Sequence, residues 1–213
     1  IREICNVEVE PDGIIFDPAT VVGRVIREDA DYEGVRIRFQ SRIDNARVTL
    51  QLDIAFDPYV TTKSFLCDYP TILDLPAPRM KAYSREATIA EKFQAMVYLG
   101  SINSRMKDFY DIWVLSRHFD FDGKILADAI IATFEHRRTA FEATPLAFTP
   151  AFNVEPTITH QWRAFITKNH LHDAPVDFAQ VTKVLEDFLS PVSESLIESQ
   201  HFDSIWKAPG PWR

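Results

Sequence analysis

The stretch GVRIRFQSRIDNARVTLQLDIAF, residues 34–56, decides how the first part of the chain folds. Apolar and polar side chains alternate along both halves of this stretch, and a period of two is typical of a β-strand with one buried face. The two halves meet at Asp44-Asn45. Because aspartate and asparagine tolerate the positive φ angles of a two-residue turn, this pair predicts a tight antiparallel hairpin.

The turn also predicts which residues of the hairpin face one another. If Ile43 opposes Ala46, the apolar side chains of both strands share one face, and Arg36 stands opposite Asp53. Four arginines share the other face: Arg36, Arg38, Arg42 and Arg47. Residues 34–47 contain one aspartate besides these arginines, so the net charge of this range is +3. Guanidinium groups in this pattern hold phosphates or simply keep the sheet hydrated, and the sequence leaves both interpretations open.

The sequence on either side of the hairpin also predicts strands. A turn at Asp12-Gly13 precedes a short apolar run, and residues 21–27 predict a shorter strand. Residues 57–78 contain several prolines and predict a long connection. A further strand is expected near residues 79–82, and we place a domain boundary near Tyr83.

Beyond Tyr83 the sequence predicts helices. Ser84 is a suitable N-cap for the first helix, and Gly100 suits the position after its last turn. The other predicted helices span residues 104–118, 123–138, 157–169 and 176–198. Pro191 is expected to kink or end the last helix because its ring removes a helical hydrogen bond, and residues 206–213 are expected to be irregular. The expected fold is α+β, with an antiparallel or mixed sheet in residues 1–83 and an α-helical bundle in residues 84–213.

Composition limits the classes of function. The chain has 213 residues and a net charge of −8. This charge excludes a uniformly basic nucleic-acid-binding surface but not a local basic patch. Two cysteines without a CxxC pair exclude a structural zinc site and a disulfide scaffold. No apolar run is long enough to span a membrane, and we expect a cytoplasmic protein. The chain begins at Ile1 without methionine, from which we expect that it starts inside a larger protein.

Asp53 and Lys92 are charged residues in apolar surroundings. Asp53 lies in the most hydrophobic strand, where a carboxylate is costly unless it meets a cation or a metal. The alternatives are a cross-strand pair with Arg36 or exposure on the polar face. Lys92 lies on the apolar stripe of its helix, so its ammonium either meets an anion inside or reaches water while its stem covers apolar surface.

Asp111 is the one charged residue in an otherwise apolar helical stretch. Asp108 precedes it by three residues and shares its face, and Lys107 precedes it by four and can pair with it. Two interpretations stay open. Asp111 forms a structural ion pair with Lys92 of the adjacent helix, or Lys92, Asp108 and Asp111 form one polar edge of a cleft that faces Asp53.

Three motifs occur in the order found in one protein family. Residues 50–54 read LQLDI, residues 89–96 read IAEKFQAM and residues 105–112 read RMKDFYDI. Together they resemble the strand with a single aspartate and the two helical motifs of AbiEii/AbiGii-type nucleotidyltransferases, the toxins of bacterial toxin–antitoxin and abortive-infection systems. The resemblance covers about residues 21–119, and the order of the three motifs makes it specific.

The resemblance implies a member of the polymerase-β-like nucleotidyltransferase superfamily, with part of its sheet in residues 1–83. Such enzymes use Mg²⁺ to transfer a nucleoside monophosphate from an NTP to an acceptor, which we expect to be RNA. The toxin family also implies a cognate antitoxin. By this resemblance Asp53 would be a catalytic carboxylate and a metal ligand.

The helical motifs imply further roles. By the resemblance Lys92 would meet the triphosphate, while Asp108 and Asp111 would help to close the site and orient Lys92. We take Arg36 and Lys107 as further candidates for binding nucleotide phosphates. The catalytic candidates are thus Asp53, Lys92, Asp108 and Asp111.

One motif of the family is missing from the sequence, a Gly-Ser or Gly-Gly pair followed by Asp-x-Asp. Asp29 and Asp31 have the spacing of two aspartates but no glycine motif before them. We expect the missing motif to lie N-terminal to Ile1 and the chain by itself to be inactive in transfer. The alternative from another class is a non-catalytic module that binds an antitoxin or another protein, or a remnant that retains the fold.

Overall fold

The computed structural model describes residues 1–27, 33–56, 64–142 and 144–213. Asp29 and Asp31 lie outside the described residues, as does the start of the predicted connection at 57–63. The chain divides into two compact units, Ile1–Tyr59 and Val60–Arg213. The division into domains near Tyr83 stays a prediction.

The first unit is built on a three-stranded antiparallel sheet in the order β1, β2, β3. The strands are β1 (Ile14–Arg27), β2 (Glu33–Ile43) and β3 (Ala46–Ala55). The predicted hairpin is confirmed, because Ile43 stands opposite Ala46 and Arg36 opposite Asp53. Asp44 has a φ of 51°, in the left-handed region that the turn requires. β1 is longer than the strand predicted at residues 21–27, and its pairing shifts between Asp17 and Val22.

The apolar face of this sheet is buried only at its centre. Phe39 is buried and its ring lies 5.9 Å from the ring of Phe16. Val48, Leu52 and Ile54 of β3 stay 37–42 % exposed. The expectation of one fully buried face was therefore wrong for β3, because a single layer of strands needs a second layer to cover it.

The second unit is mainly helical, as predicted. Its helices are α1 (Arg85–Leu99), α2 (Met106–His118), α3 (Gly123–His136), α4 (Pro150–Asn153), α5 (Pro156–Lys168) and α6 (Phe178–Ile197). Two short two-stranded antiparallel sheets complete it: β4 (Phe65–Asp68) with β5 (Arg79–Ala82), and β6 (Phe121–Asp122) with β7 (Ile205–Trp206). The Ser84 hydroxyl accepts a hydrogen bond from the Ala87 N–H at 3.1 Å, which confirms the predicted N-cap of α1. The described helices and sheets confirm the α+β fold class.

Pro191 does not end α6, which continues to Ile197. The residues that follow the proline are fully buried: Val192 at 0 % and Ser193 at 1 % exposure. Burial of this last part of the helix offsets the hydrogen bond that proline removes. The helix predicted over residues 176–198 is therefore confirmed, and of the two predicted effects of Pro191, a kink or an end, the end does not occur.

The C-terminal tail folds back onto the helices. β7 pairs with β6, and Trp206 also forms a bridge with Trp212. The indole N–H of Trp206 donates to the Ser116 carbonyl at 2.6 Å, and that of Trp212 donates to the Phe188 carbonyl at 2.9 Å. Apart from these pairings, residues 206–213 form no helix or strand, which confirms the predicted irregular tail, and contacts with residues distant in sequence hold it in place. No helix in the described ranges is long and apolar enough to cross a membrane.

Candidate functional site

Lys92, Asp108 and Asp111 form a compact ionic cluster in the second unit. The Lys92 ammonium lies 2.6 Å from Asp108 Oδ1 and 2.8 Å from Asp111 Oδ2. Lys92 comes from α1, and the two carboxylates come from α2, where a spacing of three places them on one face. The structure therefore brings together three of the four catalytic candidates.

The packing of α1 against α2 holds this cluster in place. Ile89, Phe93 and Met96 of α1 are almost fully buried, as are Phe109 and Ile112 of α2. Lys92 lies on the same stripe of α1, and its side chain is only 18 % exposed. Of the two interpretations of Lys92, the structure therefore shows the inward lysine that meets an anion.

The Lys92 ammonium is stabilised in its charged form. Burial lowers the pKa of Lys92, but the hydrogen bonds to Asp108 and Asp111 outweigh burial and raise the pKa above its usual value of 10.5. A lysine that keeps its proton at neutral pH cannot act as a general base. Lys92 is thus suited to holding an anionic group.

Lys107 completes the charge balance of the cluster. Its ammonium lies 2.5 Å from Asp111 Oδ2, and its side chain is 70 % exposed. Two lysines and two carboxylates sum to zero charge. An ammonium has three N–H donors, and the contacts of Lys92 in the described part of the chain use two of them.

Asp53 and Arg36 pair within the first unit. The Arg36 guanidinium donates to both carboxylate oxygens of Asp53, each at 2.8 Å, and the Gln51 amide donates to Oδ2 at 3.3 Å. This is the predicted cross-strand pair. Because Asp53 lies in the first unit and Lys92 in the second, their convergence in one site stays a prediction.

The contacts of Asp53 do not fit a magnesium ligand as they stand. Mg²⁺ is held by carboxylate, phosphate and water oxygens. Both oxygens of Asp53 are occupied by the Arg36 guanidinium. Within the described ranges, no three His, Cys, Asp or Glu side chains are grouped as a metal site. Metal binding by Asp53 therefore stays a prediction.

The sequence did not predict a second cluster of polar side chains, which begins at Glu91 next to Lys92. Glu91 forms an ion pair with Arg137, which also donates to the Gln94 amide oxygen at 3.2 Å. The Gln94 amide in turn donates to the Thr139 hydroxyl at 2.7 Å. The signal available was Gln94, a polar residue on the apolar stripe of α1. Its partners lie more than 40 residues away in sequence, so spacing within one helix could not identify them.

The Arg36–Asp53 pair predicts a specific pH response. The hydrogen bond from Arg36 lowers the pKa of Asp53 below its usual 3.8. A carboxyl with a lowered folded-state pKa contributes stability that is present above pH 3.8 and is lost as the pH falls through the folded value. We expect Arg36→Gln to raise the pKa of Asp53 towards 3.8, followed by NMR titration of the carboxyl carbon. Arg47→Gln is the control, and an equal rise in that variant would contradict the assignment.

Comparison with known proteins identifies one family. A family model described as the nucleotidyl transferase AbiEii toxin of a type IV toxin–antitoxin system matches residues 1–188. No curated protein matches the chain, and no solved structure does. The matched region contains the Lys92 cluster and the Arg36–Asp53 pair, and it stops before the C-terminal tail.

Proposed function

The chain belongs to the AbiEii nucleotidyl transferase toxin family, and we propose that it takes part in transferring a nucleoside monophosphate from an NTP to an RNA acceptor. In such a transfer an acceptor hydroxyl oxygen attacks the α-phosphorus of the NTP. The bond to the pyrophosphate breaks, and pyrophosphate leaves. Membership of a toxin–antitoxin family also implies a cognate antitoxin, and a cytoplasmic location stays a prediction.

The observation that carries this proposal is the Lys92 cluster. Two carboxylates fix the ammonium, so its position is set before a ligand arrives. We propose that Lys92 contacts the triphosphate and that Asp108 and Asp111 position it. Arg36 and Lys107 remain further candidates for phosphate contacts. A divalent metal, when bound, would supply neutralisation of the triphosphate charge, and in the described part of the chain no three His, Cys, Asp or Glu side chains are grouped to hold it.

The transfer assay tests the proposal directly. The protein expressed from its full reading frame is incubated with each labelled NTP, Mg²⁺ and total RNA, and label in the RNA is measured. Lys92→Met is expected to lower kcat/KM by about 100-fold or more, the cost of removing one fixed charge-stabilising donor. Lys124→Met, which removes an exposed lysine of α3 outside the cluster, is the matched control and is expected to change transfer by less than about threefold.

The conservative variant Lys92→Arg separates positioning from folding. Arginine keeps the positive charge between the carboxylates but moves the donors, so the variant is expected to fold and to bind NTP more weakly, seen as a raised KM. Absence of transfer with every NTP would overturn the proposed activity. Transfer by Lys92→Met at the wild-type rate would overturn the role of Lys92.

A second candidate function is non-catalytic binding of a protein partner. The observation in its favour is the exposed apolar surface of β3, where Val48, Leu52 and Ile54 are 37–42 % exposed. The same transfer assay discriminates the two functions, because a binding module incorporates no label.

A further inference from the structure

One face of the three-stranded sheet gathers arginines from all three strands. Arg24 of β1 stands opposite Arg36 of β2, and Arg42 of β2 stands opposite Arg47 of β3. Arg38 lies between them on β2, at alternate spacing and therefore on the same face. We call these five residues the arginine face. Arg24 joins the four hairpin arginines only because β1 pairs with β2, which the sequence alone did not show.

The arginine face is strongly positive in an acidic protein. The register places two carboxylates on the same face, Asp17 opposite Gln40 and Asp53 opposite Arg36. Five arginines and two aspartates give this face a net charge of +3, whereas the whole chain has a net charge of −8. All of the arginines except Arg36 are exposed. An anionic ligand would therefore be drawn to this surface and repelled by much of the rest.

The surface is also concave. A depression of about 430 Å³ is lined by Arg24, Arg36 and Arg38, by the polar side chains of Thr20, Gln40 and Thr49, and by the apolar side chains of Val22, Val25, Ile26 and Phe39. Arginine donates two parallel hydrogen bonds to a phosphate, and hydroxyl and amide groups add neutral donors. The polar part of the lining can therefore hold phosphate oxygens.

The length of the surface selects the kind of phosphate ligand. Arg36 and Arg42 are six positions apart on β2, which corresponds to roughly 20 Å of extended strand. A nucleoside triphosphate is too short to contact both ends of this row of arginines. A polynucleotide carries a phosphate at every residue and can follow the row from end to end.

We propose that the arginine face binds the phosphodiester backbone of the RNA acceptor. This inference rests on the proposed function and adds to it the surface on which the acceptor lies. Recognition through phosphates carries no sequence information, so the surface positions RNA and leaves the choice of RNA to other contacts.

Salt-dependent RNA binding tests the surface without any catalysis. Binding of a labelled single-stranded RNA of about 12 nucleotides is measured by fluorescence anisotropy over a salt series. Each phosphate contact contributes about −0.7 to the slope of log K against log salt. The variant Arg24→Gln/Arg38→Gln/Arg42→Gln is expected to bind at least about tenfold more weakly at low salt and to lose about 2 from the magnitude of that slope. It leaves the Arg36–Asp53 pair intact.

The matched control removes the same charge elsewhere. Lys124, Arg163 and Lys168 are exposed cations of the second unit, and the triple glutamine variant at these positions also lowers the net charge by three. We expect this control to keep the wild-type slope. Circular dichroism of both variants verifies that they fold.

Three results would overturn the inference. The first is wild-type affinity and slope in the arginine-face variant. The second is a loss of free-NTP binding in the arginine-face variant as large as its loss of RNA binding, which would indicate a mononucleotide site. The third is tight binding of polyglutamate with no RNA binding, which would indicate an acidic protein partner.

The RNA-binding assay and the transfer assay test separate proposals, so one proposal can be overturned while the other stands. Loss of RNA binding in the arginine-face variant supports the surface even if no NTP is ever transferred, in which case only the proposed activity falls. Transfer by the wild type together with unchanged RNA binding in the variant supports the activity and overturns the surface.

Discussion

Lys92→Met is expected to lower the free energy of unfolding by about 2 to 3 kcal/mol. The substitution leaves two carboxylates of α2 facing a partly buried site without the ammonium that lies between them. Breaking a fully buried pair costs about 3 to 5 kcal/mol, and the 14–21 % exposure of Asp108 and Asp111 reduces that figure. Urea denaturation monitored by circular dichroism measures the change.

Two further variants identify the origin of this loss. Lys107→Met removes an exposed i,i+4 partner of Asp111 and is expected to cost less than about 0.5 kcal/mol. Combining Lys92→Met with Asp108→Asn and Asp111→Asn removes the uncompensated charge, so part of the stability is expected to return. If Lys92→Met alone costs no more than Lys107→Met, the cluster does not stabilise the helices.

Trp206→Ala is expected to cost about 3 to 5 kcal/mol of unfolding free energy. Trp206 is 2 % exposed, and its ring lies 4.8 Å from that of Phe188 and 5.4 Å from that of Trp212. The substitution opens a cavity and also leaves the Ser116 carbonyl without its indole donor. Thermal and urea denaturation both measure this effect.

Trp206→Phe and Tyr98→Ala serve as comparisons for this variant. Phenylalanine keeps most of the packing but loses the hydrogen bond to Ser116, so an intermediate cost is expected. Tyr98 is 65 % exposed, and its replacement is expected to change stability by less than about 0.5 kcal/mol. A cost for Trp206→Ala as small as that for Tyr98→Ala would show that the tail is not part of the folded core.

Local patterns in the sequence predicted much of the structure. The alternation in residues 34–56 and the Asp44-Asn45 turn determine the hairpin register, because side-chain period and turn length leave one pairing that keeps the apolar residues together. The same local logic predicted the N-cap at Ser84 and the position of Lys92 on the apolar stripe of α1, since helical spacing places each side chain on a known face.

Features that depend on distant residues could not be predicted in this way. The pairing of β6 with β7 and the ion pair of Glu91 with Arg137 join parts of the chain that no single window contains. The burial that carries α6 past Pro191 is likewise tertiary, although the helix itself was predicted over residues 176–198. Whether Asp53 meets the Lys92 cluster is a question of the same long-range kind.

The folded-back tail gives the protein its own optical probe. Two of its four tryptophans, Trp206 and Trp212, lie in the tail, and both indoles donate to main-chain carbonyls of helices. Release of the tail would transfer both indoles to water while Trp113 and Trp162 stay in α2 and α5. Tryptophan emission therefore reports the tail and the helices equally, with two tryptophans in each. Circular dichroism reports the helices with little contribution from the tail. Comparing the two signals separates local opening of this segment from global unfolding.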